Sequence, residues 1–192
     1  ARHWMDVDII WASRDTHWLG GGIEHSSGHR DKSTDAGHTW LQGLVDYYLL
    51  TGDRRSLESA RLIGDWFARL AFERPSGGPR LHSRPGARRP GWALIGLMRL
   101  AQLGDPYYLD AARAVVEILA EEQTPDGQWT YGIPEAELPG AGQPQLTKTF
   151  MTALTLRGLV DYERMTGDAL AQELLIKGTR FIVDNLWDYE AE

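Results

Sequence analysis

The segment Gly43-Leu-Val-Asp-Tyr47 returns letter for letter as Gly158-Leu-Val-Asp-Tyr162, and each copy is followed at the same distance by Thr-Gly-Asp, as Thr51-Gly52-Asp53 and Thr166-Gly167-Asp168. A more diverged copy lies between them. Trp92 precedes Gly104-Asp105 at the distance by which Trp40 precedes Gly52-Asp53. Internal repetition restricts a chain to architectures in which one supersecondary unit stacks on the next. From Asp53 to Asp105 is 52 positions and from Asp105 to Asp168 is 63, well above the roughly 33 or 34 of ankyrin and tetratricopeptide units.

Each unit reads as two helices. In the first, Leu41, Leu44, Val45 and Tyr48 fall on one helical face, and Ala60, Ile63, Phe67 and Leu70 follow Gly-Asp at helical spacing. Leu94, Leu97, Met98 and Ala101, then Tyr108, Ala111, Ala112, Val115, Val116 and Leu119, repeat the pattern. Leu156, Leu159 and Val160, then Ala171, Leu174, Leu175, Gly178 and Ile182, give it again. Glycine reaches the left-handed conformation that ends one helix, and the following Asp accepts from the free amides opening the next. Pro106, after Asp105, suits a first helical position. Asp53, Asp105 and Asp168 are therefore expected to be caps. The predicted fold is all-α: repeated antiparallel hairpins in an incomplete (α/α) toroid, one domain over 1–192 with an irregular lead-in over 1–20. Trp187-Asp-Tyr-Glu falls where a further hairpin would begin, which reads as a piece of a longer ring.

Eight Trp and 42% hydrophobic residues suit a packed helical core, and no apolar run approaches the ~18 residues of a membrane span. A formal charge of −7 argues against a general nucleic-acid surface. Cysteine is absent, which removes disulfides and thiolate chemistry without fixing the compartment. No signal peptide is visible, and no metal or other cofactor is implied.

The connections locate the chemistry. Within a pair the helices join through a few residues, whereas Glu73 to Gly91 and Thr124 to Gln145 run between pairs, and long loops in compact domains are often functional. The expectation is that the Gly-Asp turns share one rim and the loops 20 to 37, 73 to 91 and 124 to 147 share the other. There the free amides of the first helices favour an anionic ligand. Three of the six His lie in fourteen residues of the first loop, His25, His29 and His38, with Asp31, Lys32 and Asp35 between them and Trp40 beyond. The second loop holds Arg80, His82, Arg84, Arg88 and Arg89 ahead of Trp92; the third holds Asp126, Trp129 and Tyr131 and ends at Lys148. Aromatic faces and Arg forks suit carboxylated sugars.

Plainer readings stand beside these. His25 and His29 have the i, i+4 spacing of a metal pair, but Ser26-Ser27-Gly28 between them reads as loop, so no metal is assigned. The Arg loop reads equally as solvated surface. Trp40 and Trp92 read first as packing residues, Trp129 as a loop anchor, and Thr39-Trp-Leu-Gln42 as a capping box.

The run from His38 to Asp53, with His25 and His29 upstream, resembles the α/α-toroid domain of rhamnogalacturonan exolyase-like proteins. The Gly-Asp hairpins and Asp126-Gly-Gln-Trp129 resemble the wider six-hairpin glycosidase-like group from about Gly22 onward; a full toroid has six hairpins, and three are recognisable. The resemblance implies an oligo- or polysaccharide substrate, with the rest of a longer chain or a second copy completing the ring. Two mechanisms compete. β-Elimination from a uronide needs a base for the proton α to the carboxylate, cations for the enolate-like charge and an acid for the leaving oxygen. His38 first, then His25, His29 and Lys32, offer these groups. Hydrolysis needs two carboxylates flanking the bond, for which Asp31, Asp35 and Asp126 are the candidates. Trp40, Arg80, His82, Arg84, Arg88, Trp92, Trp129, Tyr131 and Lys148 are the candidate substrate-binding residues. Elimination is preferred, since basic groups outnumber acids on the rim. From another class, a non-catalytic helical-repeat scaffold would show a concave helical surface and modest loops.

Overall fold

The computed structural model describes residues 3–13, 18–22, 34–75, 80–81, 88–129 and 149–187. Among the described residues the repeat pattern becomes six α-helices: α1 (Gln42–Thr51), α2 (Arg54–Glu73), α3 (Arg88–Ala101), α4 (Pro106–Glu122), α5 (Thr149–Thr166) and α6 (Ala169–Asn185). They form three hairpins in two layers. Odd-numbered helices neighbour one another in the order α1, α3, α5, and even-numbered ones in the order α2, α4, α6.

Each Gly-Asp pair does what its chemistry predicts. Gly52, Gly104 and Gly167 all have positive φ, and the Asp after each caps the next helix. Asp53 accepts from the Arg55 amide, Asp105 from Tyr107, and Asp168 from both Leu170 and Ala171. In the two matching turns the threonine adds a second device. Thr51 Oγ1 donates to Tyr47 O and accepts from Asp53 N; Thr166 repeats this with Tyr162 and Asp168. Pro106 occupies the expected first turn of α4.

The predicted apolar faces form the core, with Leu41, Ile63, Phe67, Leu94, Leu97, Ala111, Val115 and Leu159 inaccessible or nearly so. The odd-numbered helices approach closely because glycines on one meet larger side chains on the next. A Cβ on Gly96 would stand 2.9 Å from Leu41 Cγ, one on Gly91 2.9 Å from Thr155 Oγ1, and one on Gly158 3.1 Å from Leu94. Tyr108 donates to Asp65 at 3.0 Å and joins α4 to α2.

The described part of the lead-in belongs to the core. A π-helical turn at Trp4–Asp8 precedes an isolated antiparallel bridge between Ile9 and Gly22, and Met5 and Ile9 are buried. Two turns settle on even-numbered helices in the same way. A side chain on Gly20 would collide with the Leu62 carbonyl of α2, and one on Gly127 with the Lys177 carbonyl of α6. Leu62 and Lys177 each lie nine positions past their capping Asp, so the repeat extends into loops whose sequences do not match. Among the described residues no helix is long and apolar enough to cross a membrane.

Candidate functional site

The starts of α1, α3 and α5 meet around one open cavity of about 600 Å³, lined by Gly37, His38, Trp40, Arg88, Trp92, Phe150, Ala153, Leu154 and Arg157. The Gly-Asp turns lie at the other ends of these helices. Of the sequence-predicted residues, His38, Trp40, Arg88 and Trp92 come together here, from segments about fifty residues apart, with Asp35 immediately behind.

Asp35 organises this wall. It caps the 3-10 turn Ala36–His38 by accepting from the Gly37 amide at 2.8 Å. The same oxygen accepts from Arg89 Nε at 2.8 Å, while Oδ2 lies 3.4 Å from Arg88 Nη2 and 3.4 Å from His38 Nδ1. Burial alone would push this carboxyl upward, its side chain being 13% exposed. The nearby His38 ring, the charge and hydrogen bond of Arg89 and the Gly37 amide outweigh that and hold it well below the usual carboxylate range. Asp35 is therefore held as an anion with both oxygens engaged, suited to orienting a histidine rather than donating a proton. Nδ1 is the ring nitrogen turned to Asp35, and Nε2 lies on the opposite edge of the His38 ring. Gly37 makes the arrangement possible, since a Cβ there would stand 2.6 Å from Arg88 Nε.

The aromatic wall is Trp40 against Trp92, edge to face with centroids 5.8 Å apart, and His38 meets Trp40 edge-on at 6.4 Å. Packing was the first reading of both tryptophans, and for Trp40 the structure corrects it: the residue is 37% exposed at the cavity. The expected capping box is also corrected. Leu41 is the N-cap of α1 with no side-chain bond, because Thr39 Oγ1 accepts from Gly22 N and donates to Asp35 O.

Trp129 is a further correction as a substrate-binding candidate. It is buried, donates to Leu119 O at 2.9 Å and packs against Gly178, anchoring its turn between α4 and α6. Asp126 is used inside the same turn, accepting from Thr124 Oγ1 at 2.5 Å and Gln128 Nε2 at 3.1 Å. Arg80 is not among the cavity-lining side chains. His25, His29, Asp31, Lys32, His82, Arg84, Tyr131 and Lys148 lie outside the described residues.

Sequence reasoning missed the α5 wall, Phe150, Ala153, Leu154 and Arg157. Their i, i+3, i+4, i+7 spacing is itself a helical stripe, separate from the core face through Leu156 and Leu159. A second stripe on one helix was the available signal. No protein-family model, curated protein or solved structure matches this chain.

Proposed function

We propose that this chain is the α/α-toroid part of a carbohydrate-active enzyme, that it takes acidic, uronate-containing oligosaccharides in the cavity, and that it acts by β-elimination with His38 as acid–base residue. The observation that carries this reading is the wall itself: an imidazole beside a fixed carboxylate, next to Trp40 and Trp92, with two arginines and no Asp or Glu among the described residues that line the cavity. An aromatic platform suits a sugar's apolar face, and guanidinium groups suit its carboxylate. A histidine base would take the proton α to that carboxylate while the cations stabilise the negative charge that develops. Hydrolysis by paired carboxylates has less support, since Asp35 is held by its neighbours and Asp126 by its own turn.

The two-layer stacking, with odd-numbered helices opening at one rim, supports the toroid reading. On that reading the remaining hairpins come from a longer chain or a second copy.

The test is turnover of rhamnogalacturonan or polygalacturonate, followed by the ultraviolet absorbance of the unsaturated product. His38→Ala is expected to lower turnover by about a hundredfold or more without a matching loss in melting temperature. Near-normal turnover in the variant, or release of only saturated products by the parent protein, refutes the elimination reading.

A further inference from the structure

We propose that Arg157 is the residue that selects an acidic ligand, by pairing with the carboxylate of a sugar seated against Trp40 and Trp92. The inference rests on the reading of the cavity as an oligosaccharide site and adds a specificity residue that the repeat pattern did not indicate.

Among the described residues two arginines line the cavity, and they differ in the carboxylates they meet. Arg88 is committed to Asp35, with Arg89 beside it, so this wall's positive charge is partly neutralised and its donors are partly used. Arg157 enters from the opposite wall on α5, is exposed, and has no carboxylate partner among the described residues. Its planar fork offers the two-point geometry that carboxylates favour. The rest of its helical stripe is apolar: Phe150, 55% exposed, with Ala153 and Leu154. A lone cation at the end of an exposed apolar stripe, facing a tryptophan pair, matches a ligand with a hydrophobic ring face and one negative group.

The internal repeat supplies a control. Arg157 immediately precedes the second Gly-Leu-Val-Asp-Tyr, and Gln42 immediately precedes the first. Gln42 opens α1 and is partly buried, whereas Arg157 is exposed in the middle of α5, so the first copy offers a neutral residue of similar reach but not the same surroundings. Arg157→Gln imports the residue of the first copy, and the site's exposure predicts little effect on folding.

The experiment is calorimetric titration of the intact protein and of Arg157→Gln and Arg157→Lys with trigalacturonate and with its carboxyl-reduced, neutral trisaccharide, alongside melting curves. The parent protein is expected to prefer trigalacturonate by roughly tenfold or more, the scale of a charged hydrogen-bonded contact. Arg157→Gln should erase most of that preference by weakening the acidic sugar alone, and Arg157→Lys should keep part of it. If the parent prefers trigalacturonate and Arg157→Gln keeps the full preference, or weakens both sugars equally, Arg157 is not the selector while the oligosaccharide site stands. Binding of neither sugar to the parent protein overturns both this assignment and the reading of the cavity.

Discussion

Replacing Asp35 by Asn removes one negative charge from the point where the start of α3 is tied to the start of α1. Asparagine keeps an oxygen for the Gly37 amide, so the 3-10 turn retains its cap. What is lost is the anion between Arg88, Arg89 and His38. A hydrogen bond to a charged group contributes about 1.5–3 kcal/mol, and removing one partner of a fully buried pair costs about 3–5 kcal/mol. Here the Asp35 side chain is 13% exposed, and Arg88 and Arg89 are 26% and 33% exposed and can recover some hydration. The expected destabilisation at neutral pH is therefore about 2–3 kcal/mol. For a chain of this size that corresponds to a fall in Tm of roughly 4–12 °C. The pH dependence adds a sign. In the unfolded chain Asp35 titrates near the ordinary value of about 3.9, while in the folded protein its neighbours hold it well below that. Its stabilisation is thus fully present above the unfolded value and is lost as pH falls toward the folded one. Thermal or urea unfolding of both proteins should show a gap at neutrality that narrows below about pH 4. Equal stability at pH 7, or a gap that widens in acid, would refute the reasoning.

The identical repeats offer a second test by circular dichroism melting: Gly43 has open space where a Cβ would stand, whereas Gly158 faces Leu94 at 3.1 Å. Gly43→Ala should therefore stabilise by about 0.5–1 kcal/mol, and Gly158→Ala should not show that gain. Asp168→Ala removes a carboxylate that accepts from two amides and should cost about 1 kcal/mol in urea unfolding, with Asn restoring most of it. Trp40→Ala should weaken trigalacturonate and its neutral counterpart alike by roughly tenfold in calorimetric titration, with little change in Tm; a loss confined to the acidic sugar would contradict a stacking role.

Much of the fold was legible because its signals are local. Apolar residues at helical spacing give a face to bury, Gly supplies a left-handed helix end, and the next Asp finds free amides within two or three residues. Thr51 and Thr166 reinforce the same turn through bonds within one turn of chain. The sequence also carried the types of residue in the candidate site, with His38 and Trp40 before one helix and Arg88 and Trp92 at the start of another.

Only tertiary packing decided which of them meet. Trp40 and Trp129 are the same residue type beside comparable loops, yet one lines a cavity and the other fills a seam behind Gly178. The difference depends on neighbours contributed by distant segments. Asp35 has no local mark separating it from Asp31 or Asp126; it becomes a fixed anion because Arg88 and Arg89 arrive from 53 and 54 residues away. Thr39 looked like half of a capping box, but the bridge between Ile9 and Gly22 brings up an amide that takes its hydroxyl. Arg157 was hidden because its stripe on α5 faces a cavity that exists only when three helix starts are brought together. Local rules determine helices and their ends, whereas the surface that meets a ligand is set by contacts between residues far apart in the chain.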